Sequence, residues 1–444
     1  MCFDYYHVMA CPEWEELDSE IDTHDQFRPD WRDIHKREHY TRPQWFAQGT
    51  LSTCLDYLYA RRSGNFDLAS KLWQELCQQA MCLSNRNLDP LEKDLTGNLY
   101  STASNRYSTT VQSLLKSGQL LRTDLVPYDG WIERFGRLFD CYDLIHANGV
   151  DGFMPLLTGH RYVAFEHGTL RTIPFQDDAM GRRCRATYEQ ADFCLITNPD
   201  NFREVVPRLS LKACSFIPHP IDEEVLLESS GIRALRATLQ RKLCADRLVF
   251  LPARHHWKPM RELLGTEDDR NWDKGNDIFI RGLYRHIQTI DPRIGVVTAN
   301  WGQTVAASKA LISALGLDKK ILWVEPMPHR RMMRYIAACD ALADQFMLSS
   351  LGGTPAKALI AGKPAITRFL PGTTEGCFAE PPPLCHAESP DDIAFLLHEL
   401  TEGRLDTAHH DRQRWYERYH SSTVVTDGLC AAYQRVLSQP LPAT

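Results

Sequence analysis

No apolar run in the 444-residue sequence approaches the ~18 residues a membrane-spanning helix needs, so no such helix is expected. Cys-x-x-Cys is absent although there are 14 cysteines; the closest pair is Cys77 and Cys82. Many cysteines sit among apolar neighbours, Cys194 and Cys339 for example, where the thiol behaves as a small hydrophobe, so reduced structural thiols are expected. His-Glu-x-x-His spacing is missing, and the adjacent His255 and His256 make a poor metal pair; no metal is expected. Gly-x-Ser-x-Gly and closely spaced carboxylate pairs in a recognised setting are also missing, which removes the common covalent nucleophiles. Neither sign of charge dominates: 50 Lys and Arg against 57 Asp and Glu give a net −7, a poor match for nucleic acid. The opening MCFDYYHVMACPEWEE has no basic region followed by an apolar one; a secretory leader is not expected, and a cytoplasmic location is.

What remains is an ordinary globular composition, 43% hydrophobic with 25 glycines and 25 prolines, long enough for two or three domains. About the first 140 residues are polar, aromatic and mostly helical in pattern, as in LSTCLDYLYARR and FDLASKLWQELCQQAMCL. No chemistry is legible there, and Tyr40, Trp45, Phe46, Tyr57 and Tyr59 read more simply as hydrophobic core than as a ligand-stacking surface. After Tyr142 short apolar runs alternate with helical stretches: DLIHANG, RYVAFEHGT, ADFCLITN and KACSFIPHPID. A second series follows the helical IRALRATLQRKLCADR: RLVFLPARHHW, RIGVVTANWG, KKILWVEPM, CDALADQF and KPAITRF. Both series predict α/β domains with doubly wound parallel sheets facing a common cleft. The expected divisions are 1–222, 223–405 and a helical tail, 406–444, packing back on the first domain; Ser389 carries a helix-cap signal.

Three stretches can carry chemistry. In DQFMLSSLGGTPAKALIAGKPAITRF a strand ends near Asp344 and a helix starts near Thr354 and Pro355. Ser349, Ser350, Gly352, Gly353 and Thr354 then offer donors at the positive end of that helix, a site suited to a diphosphate, though a tight loop of small residues explains the composition equally well. Arg254 follows a strand and Lys274 precedes an amphipathic helix; two such cations can neutralise a leaving diphosphate, whereas each alone reads as solvated loop charge. His167, in Glu166-His167-Gly168, ends a strand of the first series, where it can face a reacting sugar or be a satisfied structural histidine.

Together these segments resemble retaining glycosyltransferases of the GT-B fold, in the broad family 4 group, from about Asp143 through KPAITRF. DLIHANG with FEHGT is similar to that family's "DVIHAH … HG", and EQADFCLITN with FIPHPID to its "AD.vi..S … IPNGVD". LPARHHW with DKGNDIFIRGL resembles "vGRl…KGxD.li.A", and YIAACDALADQF…LGG…KALIAGKPAI follows "y..aDv.v.P…G…EAMAxGxPVI".

The resemblance implies transfer of a sugar from a nucleotide-diphosphate sugar, UDP or GDP, to an acceptor hydroxyl with retained configuration and no cofactor. The acceptor is a small molecule, glycan or lipid-linked species; nucleic acid is not expected, and peripheral membrane contact stays open through the basic, apolar-interleaved His329–Arg334. It places Arg254 and Lys274 on the donor diphosphate, with Gly352 and Gly353 giving backbone N–H groups. His167 then lies beside the reacting sugar, and Glu325-Pro326-Met327 at the base. The family's two glutamates, eight residues apart, are here Ser349 and Lys357, and an ammonium cannot accept the ribose hydroxyls. Either Lys357 meets a negative group on an unusual donor, with Glu325, Asp344 or Glu375 taking the ribose, or the chain is a nucleotide-sugar-binding pseudoenzyme or partner subunit. An epimerase or hydrolase on the same fold ranks third.

Overall fold

The computed structural model describes residues 107–129, 132–221, 223, 229–257, 273–290, 293–327 and 329–439. The helical runs expected in 51–83, and the aromatic residues there and at Tyr40, Trp45 and Phe46, lie outside these. Among the described residues the chain divides into two compact units, 107–218 with 426–439, and 219–425.

The first unit holds a four-stranded parallel sheet in the order β1 (Ile145–Asn148), β2 (Tyr162–Phe165), β3 (Phe193–Ile196), β4 (Cys214–Phe216). These are the four apolar runs of the first series, and β2 and β3 are buried at every position, as a sheet covered on both faces requires. Register is direct, with Ala147 opposite Ala164 and Ala164 opposite Cys194. The helix Ala179–Gln190 between β2 and β3 starts on Asp178, whose side chain accepts from Gly181 N at 2.7 Å. The C-terminal helix Ser422–Leu437 adds Tyr433, whose hydroxyl meets His146 Nδ1 at 2.6 Å.

The second unit is a six-stranded parallel sheet ordered β10-β9-β8-β5-β6-β7. Its strands are β5 (Arg247–Leu251), β6 (Ile294–Ala299), β7 (Ile321–Val324), β8 (Ala341–Ala343), β9 (Ala365–Thr367) and β10 (Cys385–His386). Counted from β5, this is the doubly wound order 3-2-1-4-5-6, whose direction reverses between β5 and β8. Only β10, two residues long, has no counterpart among the expected strands. Leu251, Phe279, Ile280, Leu283, Val296 and Leu397 form the core on one face of the sheet. The helix Asn276–Thr289 approaches helix Pro390–Thr401 so closely that a Cβ on Gly282 would stand 2.4 Å from Ile393 Cβ. Ser389 caps that second helix: its Oγ accepts from Asp392 N at 3.2 Å and the Asp392 carboxylate accepts from Ser389 N at 2.9 Å.

Nine described cysteines are free thiols, Cys184, Cys194 and Cys339 among them buried. No helix of the described residues is long and apolar enough to cross a membrane. In His329–Ala338, Met333, Tyr335 and Ile336 point into the core, which accounts for the apolar interleaving of that basic stretch.

Candidate functional site

In open parallel sheets ligands bind beyond the carboxyl ends of the strands, where the order reverses. Here that point lies between β5 and β8, and the expected cations gather at it. Arg254, three residues past β5, is half-buried, and burial pushes its guanidinium pKa down. Lys274 N donates to His256 O at 2.6 Å, and Phe346 N to Lys274 O at 2.9 Å, so its backbone bridges the exits of β5 and β8. Its ammonium donates to Gln345 Oε1 at 2.5 Å.

The two adjacent histidines diverge. His255 is enclosed: Thr298 Oγ1 gives its proton to Leu251 O at 2.9 Å, so His255 Nε2 donates to Thr298 Oγ1 at 3.0 Å. Its Nδ1 therefore accepts, from Ser308 Oγ at 2.9 Å, and Trp257 Nε1 donates to the same Ser308 oxygen at 2.9 Å. That network is structural and holds a neutral imidazole, whose pKa burial lowers to about 4. His256 instead lies within electrostatic reach of Arg254 and Lys274.

At the end of β8 the Asp344 side chain is buried; burial raises its pKa, against the opposing pull of Lys274 and Lys357. Lys357 is half-buried on the helix Gly353–Ile360, where burial lowers its pKa and Asp344 raises it. Arg254, His256, Lys274, Asp344 and Lys357 thus form one electrostatic chain from the β5 exit to this helix. The helix begins at Gly352 with no side-chain cap, and a Cβ on Gly352 would meet nothing within 4 Å. Open amides at a helix N-terminus favour an anion. Thr354 lies in its first turn, and Gly353 faces the His219 ring.

Ser349 is committed elsewhere. Thr373 Oγ1 donates to Leu370 O at 2.8 Å, so Ser349 Oγ donates to Thr373 Oγ1 at 2.6 Å while accepting Leu370 N–H at 2.9 Å. It braces the turn that carries Glu375, which is exposed. Glu325, just past β7, accepts from Asn300 Nδ2 at 3.1 Å, and Met327 packs beside the core under β7.

His167 belongs to the first unit. Its Nε2 meets Asn148 Oδ1 at 2.9 Å, its ring lies against Phe165, and burial lowers its pKa against the pull of Glu166. Glu166 organises that corner. Fully buried, its Oε2 accepts from Asn198 Nδ2 at 2.9 Å and from the Thr197 and Asn198 amides at 3.3 Å, while the Thr197 hydroxyl donates to the Glu166 main-chain oxygen at 2.7 Å. Its Oε1 takes Asn201 Nδ2 at 2.7 Å and the Gly168 amide. One carboxyl group therefore joins the ends of β2 and β3 and fixes the turn that carries His167.

No family model matches the sequence, and no curated protein matches it. Solved structures do. Anabaena Alr3699/HepE in complex with UDP and glucose is 16% identical, with a TM-score of 0.55 over 70% of this chain and 83% of that one. Its complex with UDP-glucose also gives 0.55, over 73% and 88%. A glycosyltransferase from Rickettsia africae gives 0.51 at 11% identity, over 83% and 88%. The chain has the GT-B fold.

Within this GT-B chain, the second unit brings Arg254, Lys274, Asp344 and Lys357 into one neighbourhood, next to the helix of Gly352 to Thr354. It does not draw in Ser349, whose hydroxyl is spent on the loop. Gln345, which holds Lys274, and Glu166, which fixes the His167 turn, are not singled out as functional groups in the sequence, and His256 reads there only as a poor metal ligand. Gln345 and Glu166 each adjoin a residue already singled out, and a buried polar residue at a strand end was the available signal.

Proposed function

We propose that the chain is a glycosyltransferase that moves a sugar from a nucleotide-diphosphate sugar to an acceptor hydroxyl with retained anomeric configuration. The observation that carries this reading is the neighbourhood of Arg254, Lys274, Asp344 and Lys357 beyond β5 and β8, with Lys357 on the helix that starts uncapped at Gly352, in a GT-B chain. The cations and amides take up the charge that grows on the departing diphosphate, a task of positioning and electrostatics without a side-chain nucleophile. The acceptor oxygen bonds to the anomeric carbon as the bond to the phosphate oxygen breaks. The acceptor proton passes to that departing phosphate on the same face. Neighbours of this fold solved with UDP or UDP-glucose support a nucleotide sugar as donor. UDP or GDP is the carrier, without a metal, and Glu325 with Met327 lies at the base.

Lys357 and Ser349 favour a second reading, a nucleotide-sugar-binding partner without turnover, because neither supplies the ribose-binding carboxylate. Asp344 beside Lys357 keeps a carboxylate in that neighbourhood, which favours the enzyme. Incubation with UDP- and GDP-sugars and candidate acceptors, scored by nucleoside diphosphate release and by NMR of the product's anomeric proton, separates the two. Retained configuration supports the transferase; tight binding without release under every acceptor supports the partner.

A further inference from the structure

His256 is almost enclosed, 9% exposed, and unlike His255 beside it leaves its Nδ1 without a hydrogen-bond partner. A buried polar atom left so is uncommon and calls for an explanation. Next to it the fully buried Asn276 accepts the His256 N–H at its Oδ1, at 3.0 Å, and its Nδ2 is without a partner as well. Two orphan polar atoms therefore sit at the β5 exit, each able to present an N–H. His256 lies two residues after Arg254, and Asn276 two residues after Lys274. We propose that His256 is a third ligand of the donor diphosphate, giving its Nδ1–H to a phosphate oxygen with the Asn276 amide as neighbour, and gaining a proton as the anion binds.

This rests on the nucleotide-sugar reading above. Among the described residues, the charged groups that act on the ring are Arg254, two residues before it, and Lys274, both cationic. His255, beside it, is held neutral by Ser308 and Thr298. Among the described residues the nearby carboxylates are engaged: Asp273 Oδ1 accepts Gly275 N at 2.8 Å, and Asp344 faces Lys274 and Lys357. Without an anion, burial and the two cations hold His256 neutral, with a pKa lowered to about 4. A diphosphate cancels both cations and supplies the missing acceptor, so the imidazole's pKa rises in the complex. Affinity must then strengthen as pH falls toward that raised value.

The test is calorimetric titration with UDP-glucose and GDP-mannose, whose diphosphate diesters keep a fixed charge between pH 6 and 8, in buffers of different ionisation enthalpy. Wild-type protein is expected to take up protons on binding and to bind more tightly at pH 6 than at pH 8. His256→Leu should weaken binding at pH 6 by about ten- to a hundred-fold, the range for a lost charge-assisted hydrogen bond. His256→Asn, which keeps a neutral donor near the Nδ1 position, should bind with no proton uptake and a flat pH profile. Wild-type binding without proton uptake overturns the proposal even where His256→Leu fails to fold. Binding of neither nucleotide sugar at any pH removes the donor site itself, and the proposal with it.

Discussion

Lys274 Nζ donates to Gln345 Oε1 at 2.5 Å, tying the segment that follows β5 to the end of β8 across the point where the strand order reverses. An ammonium is a mobile point charge on a flexible stem, and this bond fixes its direction. Gln345→Leu removes the acceptor while preserving volume. We expect nucleoside diphosphate affinity to fall by about ten-fold, as for one lost hydrogen bond to a charged group, with helix content by circular dichroism unchanged. Unaltered affinity would show that Lys274 needs no such brace.

Gly275 follows Lys274 at φ +63°, a left-handed conformation, and a Cβ there would stand 3.0 Å from Phe346 Cβ and 3.3 Å from Met347 Cγ. Gly275→Ala is therefore expected to cost about 1–3 kcal/mol in urea unfolding. Displacement of Lys274 should weaken nucleotide binding in the same variant. A stable variant with full affinity would contradict the packing described for this turn.

Glu166→Gln places an amide N–H₂ among groups that donate to the carboxylate: the Asn198 and Asn201 side chains and three backbone amides. At least one buried donor loses its acceptor, and a loss of about 3 kcal/mol is expected. Because this carboxyl group fixes the His167 turn, turnover should fall further than nucleotide affinity does. Equal loss of both would make Glu166 a stabilising residue only.

His255 and His420 are each 1% exposed, and burial lowers both pKa values to about 4 from an ordinary 6.5. Between pH 6.5 and 4 the unfolded chain binds protons that the folded one refuses. Stability is therefore fully present above 6.5 and lost as pH falls, by about 1.4 kcal/mol per pH unit for each histidine within that window. Denaturant unfolding at pH 7.5, 6.0 and 5.0 should show a steady decline. A flat profile would mean these imidazoles accept protons in the folded state.

Much of this fold is legible in the sequence because a strand buried on both faces is a short continuous apolar run. VAF in β2, FCLI in β3 and VFL in β5 have no other economical reading. The short β10 carries only Cys385 and His386, too little apolar length to register as a strand. The site was half legible. Glycine and proline mark the start of helix Gly353–Ile360, and cations beside strand ends are visible in a string. What a string hides is pairing: whether Ser349 faces a ligand or a loop depends on Leu370 and Thr373, more than twenty residues away. Asp344 and Lys357 lie thirteen residues apart in the chain, and only folding shows that each carries the other's countercharge. Neighbouring histidines, His255 and His256, look alike in sequence and differ only in what surrounds each ring.

The proposed transfer stands on Arg254 and Lys274 binding the diphosphate of a nucleotide sugar. Calorimetric titration of UDP and GDP, with and without magnesium, into wild-type protein, Arg254→Ala, Lys274→Ala and the double variant tests it directly. Wild-type protein is expected to bind one base series independent of magnesium, each single variant to lose about ten- to a hundred-fold, and the double variant to show no detectable binding while it stays folded. Equal affinity in the double variant, or no binding of either nucleotide to wild-type protein, would contradict it.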